Sequence, residues 1–128
     1  MKQYKVFLKN KLIGTTNFEK ADPPMGVVFG QINFNGDILD YNSLKSYCIE
    51  NNLAIATDYA KYKMIAITEN IKVITETGVE LIGVGGYVLD GMDNAEFEIS
   101  IAGIGYPFYE QEFPQHTRNY FYPNNGDL

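Results

Sequence analysis

Glu96-Phe97-Glu98-Ile99-Ser100-Ile101 alternates with a period of two, placing Phe97, Ile99 and Ile101 on one side of an extended strand and Glu96, Glu98 and Ser100 on the other. One side is built for a core and the other for water, the pattern of an antiparallel sheet with one covered face. The same period appears near the start of the chain, where Tyr4, Val6 and Leu8 alternate with Lys5, Phe7 and Lys9. Asn10-Lys11 then turns the chain into a second extended run over residues 12–18, which predicts a β-hairpin.

Further strands are predicted over residues 26–34, 53–56, 63–68, 71–76, 79–84, 87–89 and 96–101, from their Ile and Val content and the turn residues between them. Gly85-Gly86 reads as a bulge or bend. Pro23-Pro24 removes two backbone donors, so residues 21–26 are expected to be irregular. A helix is predicted over residues 42–51, because Tyr41, Leu44, Tyr47 and Cys48 recur at spacings of three and four, with Asp40 or Asn42 as cap. Residues 106–114 predict a short C-terminal helix with Pro107 in its first turn and Pro114 at its end. Residues 123–128 predict a frayed tail. The fold class is therefore α+β, mainly antiparallel β: a twisted sheet or partly closed barrel with one main helix.

The 128 residues suit a single domain spanning 1–128 with one core. Ten Tyr and eight Phe argue against disorder. Cys48 has no second cysteine to pair with, which fits a reducing cytoplasm better than secretion. Lysines interrupt the apolar N-terminal run, so it lacks the core of a signal peptide, and no stretch reaches the length of a membrane span.

Charge is divided unevenly along the chain. Residues 73–128 carry nine acids against Arg118 alone, whereas residues 1–72 carry nine lysines against seven acids. The formal charge of −6 therefore comes from the second half. Acids gathered on one face would attract a basic partner and repel nucleic acid, and no basic run interleaved with aromatics is present.

Catalytic signatures are sparse. His116 is the one imidazole, it stands in no motif with Cys48, and one His with one Cys nearly excludes a structural zinc site. Asp90, Asp93 and Asn94 lack the spacing of a calcium loop. Gly83, Gly85, Gly86, Gly103 and Gly105 form neither a dinucleotide nor a P-loop fingerprint. No metal or cofactor is expected. Between Tyr106 and Tyr122 the chain concentrates seven aromatic rings around Glu110 and Glu112, the composition of a surface that recognises a basic protein with aromatic anchoring.

These observations favour a binding role over an enzyme. The expectation is a cytoplasmic, acidic protein-binding module, most concretely an inhibitor or immunity protein that blocks a nuclease-like toxin. Asp90, Asp93, Glu96, Glu98, Glu110 and Glu112 would supply charge, with Tyr106 and Tyr109 as anchors. The alternative is a small-molecule or hydrolytic site in a pocket near His116.

Overall fold

The computed structural model describes residues 2–123, so the tail expected over 123–128 lies outside the described residues from 124 onward. Among the described residues, strands numbered along the chain form two antiparallel sheets. The first has the order β5 (Asn33–Phe34), β2 (Lys11–Thr16), β1 (Tyr4–Leu8) and β8 (Ile71–Ile74). The second has the order β3 (Lys20–Asp22), β4 (Val27–Gln31), β10 (Glu98–Ile104), β9 (Gly83–Met92), β7 (Met64–Ile67) and β6 (Thr57–Tyr59). The class is the expected α+β, but the sheets do not close into a barrel.

Alternation sets the covered faces. Tyr4, Val6 and Leu8 of β1, with Val73 of β8, join Val28, Ile65, Ile67, Leu89, Ile99 and Ile101 of the second sheet in one buried core. Lys5 and Lys72 remain exposed on the outer face of the first sheet. Glu98 lies directly opposite Asp90 across the β9–β10 pair on the outer face of the second.

Two expected strands are reorganised by tertiary structure. The run over residues 26–34 splits at buried Ile32 into β4, which pairs with β10, and β5, which pairs with β2. Periodicity cannot report this switch, because both halves are extended and apolar. Residues 79–84 form a regular strand only from Gly83. Before it, Leu81 is held by its backbone bond to Val73. The β9–β10 pairing shifts register between Gly86–Ala102 and Gly83–Ile104, so the bulge expected at Gly85-Gly86 forms within β9, whereas residues 53–56 are irregular. Lys20–Asp22 is an additional short strand, and Pro23–Met25 forms one 3-10 turn where irregular chain was expected.

Helix α1 (Tyr41–Glu50) starts at Asp40, whose carboxylate accepts from the Ser43 N–H at 3.0 Å while the Ser43 hydroxyl accepts from the Asp40 N–H at 3.0 Å. This reciprocal box satisfies donors that a helix start leaves open. Helix α1 bridges the sheets: the Tyr47 hydroxyl donates to the Leu8 carbonyl, and the Tyr41 hydroxyl donates to Asp58 of β6.

The C-terminal region contains two helices, α2 (Phe108–Glu112) and α3 (Pro114–Phe121), where one ending at Pro114 was expected. Proline stops a helix that precedes it but is well suited to the first position of one that follows. Tyr109, Phe113 and Thr117 recur every four residues and form the buried stripe of this unit. It too bridges the sheets, since the Tyr109 hydroxyl donates to the Val27 carbonyl of β4 and the Tyr4 hydroxyl of β1 donates to Glu112.

Candidate functional site

The expected acidic residues fall into two groups at opposite ends of β10. Glu98 begins that strand, whereas Glu110 and Glu112 lie on the helix that follows its end. Three of the acids already have partners within the chain. Asp93 accepts from the Tyr41 N–H at 2.9 Å, Glu98 lies 3.7 Å from the Lys20 ammonium, and Glu112 accepts from the Tyr4 hydroxyl at 2.7 Å. Glu96 and Glu110 are exposed. Asp90 stands beside Glu98, and burial against its neighbours raises its carboxyl above the ordinary range.

The two expected anchors have different environments. Tyr106 is 46 % exposed, donates its hydroxyl to the Pro23 carbonyl at 2.8 Å and stacks on Tyr109 with ring centroids 5.1 Å apart. Burial, and then the Glu110 carboxylate, raise the pKa of its phenol. Tyr109 is fully buried. Its four-residue spacing to Phe113 and Thr117 directs it inward, so it supports Tyr106 from beneath and contributes no surface of its own.

Two exposed apolar residues beside Tyr106, Val79 and Ile82, escaped sequence reading. Val79, Ile82 and Phe108 share a shallow cavity with Tyr106, and a second cavity joins Tyr106 to Glu110, Arg118, Phe121 and Tyr122. Val84, on the same end of β9, is 96 % exposed. A β-branched residue in a strand is ordinarily read as core, so this exposure became visible only once the strand had been placed.

A third cavity, of about 460 Å³, lies on the other flank of α2 and α3, between them and the crossover from β2 to β3. Tyr4, Phe18 and Phe113 meet there with centroids 5.1 to 6.2 Å apart. His116 places Nε2 2.6 Å from the Phe18 carbonyl oxygen. A carbonyl only accepts, so Nε2 carries the proton and donates. Among the described residues, the cavity is lined by the carboxylates of Glu19 and Glu112 beside His116, and by no Ser, Cys or Thr.

Elsewhere the ionisable groups are structural. Cys48 is completely buried, and burial pushes its thiol up to about 11, so it is protonated at neutral pH. Asp58 binds the Lys45 ammonium at 2.8 Å and the Tyr41 hydroxyl, and these bonds hold its carboxyl below the ordinary range. Tyr41 is shifted upward, chiefly by that bond to Asp58, so it is not primed as a base. Among the described residues, no three His, Cys, Asp or Glu gather at metal-binding distance, and no helix is long and apolar enough to cross a membrane. No family model matches this chain, and no curated protein or solved structure matches it.

Proposed function

We propose that this chain is a non-catalytic protein-binding module whose contact surface is the end carrying α2 and α3. Its partner is a basic protein. The observation that carries this reading is the group of exposed side chains around Tyr106: Val79, Ile82, Phe121 and Tyr122 beside the exposed carboxylate of Glu110. Exposed apolar residues grouped within a polar rim mark interaction surfaces, and aromatic anchors dominate binding energy.

A basic partner is supported by the formal charge of −6, which speeds encounter with a positive surface and repels nucleic acid. The most concrete form of the proposal is an inhibitor or immunity protein that occupies the anion-handling cleft of a nuclease-like toxin. Such a cleft is positive because its substrate is an anion. A cytoplasmic setting belongs to the same proposal and is supported by the unpaired Cys48.

The test is capture from a cell lysate at low salt, elution in a salt gradient, and repetition with Glu110→Lys and Phe121→Ala. A basic protein retained by the native chain should elute at lower salt from Phe121→Ala and be lost from Glu110→Lys, about a tenfold or greater weakening. Retention indifferent to salt, or unchanged in both variants, would overturn the reading.

A further inference from the structure

We infer that the tip of the β6–β7 hairpin is a basic knob that docks into the surface around Tyr106 of a second copy of this chain, so that copies associate head to tail. The inference rests on the protein-binding reading only in treating the Tyr106 surface as a contact surface.

The knob is built by the short 3-10 turn Ala60–Tyr62 between β6 and β7. Lys63 closes that turn in the left-handed region at φ 50°, and its N–H donates to the Ala60 carbonyl at 3.2 Å. A turn fixed in this way leaves little backbone freedom to lose on docking. Tyr62 is 61 % exposed and Tyr59 56 %. Tyr59 lies opposite Met64, and Met64 opposite Met92, so these three share one row on the outer face of the second sheet.

Lys61 and Lys63 flank Tyr62 in the chain and are both exposed, and the Lys61 ammonium stands 5.5 Å from the Tyr62 ring centroid. Neither lysine forms an ion pair among the described residues. The carboxylates around the knob are committed elsewhere: Asp58 to Lys45 and Tyr41, Asp93 to the Tyr41 N–H, and Asp40 to the start of α1. The tip is therefore aromatic and positive.

The Tyr106 surface has the complementary character. Its two cavities, about 380 and 520 Å³, are of ordinary size for a binding pocket. Each carries an exposed carboxylate, Glu80 in the first and Glu110 in the second, and Arg118 is the one cation among the described residues lining them. A Lys-Tyr-Lys tip offers one ring for the apolar seat and two ammonium groups for two carboxylates. Knob and socket lie at opposite ends of the ten-residue strand β9, since Met92 ends it beside the knob and Ile82 precedes it in the socket. A chain cannot fill its own socket, so the occupant comes from another molecule. The formal charge of −6 repels a second copy at long range. That repulsion is screened beyond about 8 Å at physiological salt, whereas charges brought into contact are screened far less. Contact between two different surfaces leaves one knob and one socket free, so association continues or closes into a ring.

Sedimentation equilibrium of the full chain at physiological ionic strength tests this. The average mass of the native chain should rise with concentration beyond that of a dimer. Tyr62→Ala and Lys61→Glu in the exposed knob, and Glu110→Lys in the socket, should each weaken association by about tenfold or more. Mixed in equal amounts, Tyr62→Ala and Glu110→Lys should form dimers and stop there, because the first keeps its socket and the second keeps its knob.

A native chain that stays monomeric or stops at a dimer, association unchanged by the knob variants or by the socket variant, or a mixture that stays monomeric would overturn the inference. Tyr62→Ala leaves the socket intact and should still capture the basic partner. Failure of self-association with capture intact sinks this inference alone. Failure of capture with self-association intact sinks the basic-partner reading and leaves the second copy as the occupant.

Discussion

Asp40 shows how one side chain settles where an element starts. Its carboxylate accepts from the Ser43 N–H, and that backbone bond is the main reason its carboxyl is held below the ordinary range. A depressed folded pKa stabilises the fold fully above the unfolded value, and the effect is lost as pH falls through the folded one. Asp40→Ala should therefore cost about 1 kcal/mol at neutral pH, or roughly 4 °C in melting temperature. Asp40→Asn, which still accepts a bond, should lose less. The difference between native chain and Asp40→Ala should shrink at acid pH, as the carboxyl becomes protonated in the folded state as well. Thermal melts at the two pH values check this, and a constant difference would show that the cap works without its charge. Asp40 was readable as one of two candidate caps, because it stands just before apolar residues spaced by three and four. Tyr109 was not read correctly: its aromatic and acidic neighbours resemble a surface patch, and only the position of α2 against β4 shows that its ring is internal.

Elements were legible where one period ran uninterrupted, as in β1, β10 and α1. They were misread where a residue has two opposite meanings. Pro114 ends one helix and starts the next, and local pattern does not distinguish these roles. Gly26 is a clearer junction. It closes the 3-10 turn at φ 64°, its N–H donates to Pro23, and its carbonyl accepts from the Ile104 N–H at the end of β10. A Cβ added there would lie 2.5 Å from the Ile104 carbonyl oxygen. Gly26→Ala should combine left-handed strain with a backbone clash and lower stability by about 2 kcal/mol or more. Denaturant unfolding should show an earlier midpoint with an unchanged slope. A midpoint equal to the native chain's would mean that the turn can flatten without disturbing β10.

The two sheets and their bridging helices enclose Cys48 completely. At neutral pH its thiol should react with a soluble thiol reagent only as fast as the structure opens, and mild denaturant should accelerate labelling in step with unfolding. Labelling at the rate of a free thiol under native conditions would contradict this burial. Sequence alone determined the antiparallel α+β class, the main helix and the excess of acids in the second half, because composition and short-range periodicity carry those properties. It could not determine whether the acids converge. That depends on β10, which holds Glu98 and the α2 acids at opposite ends, and on the sheet switch at Ile32. Tertiary structure likewise turned Tyr109 inward, exposed Val84 and assembled the Glu112 cavity from Lys2, Tyr4 and Phe18, residues about a hundred positions away. Such pairings are set by packing between distant segments, and no local pattern of side chains encodes them.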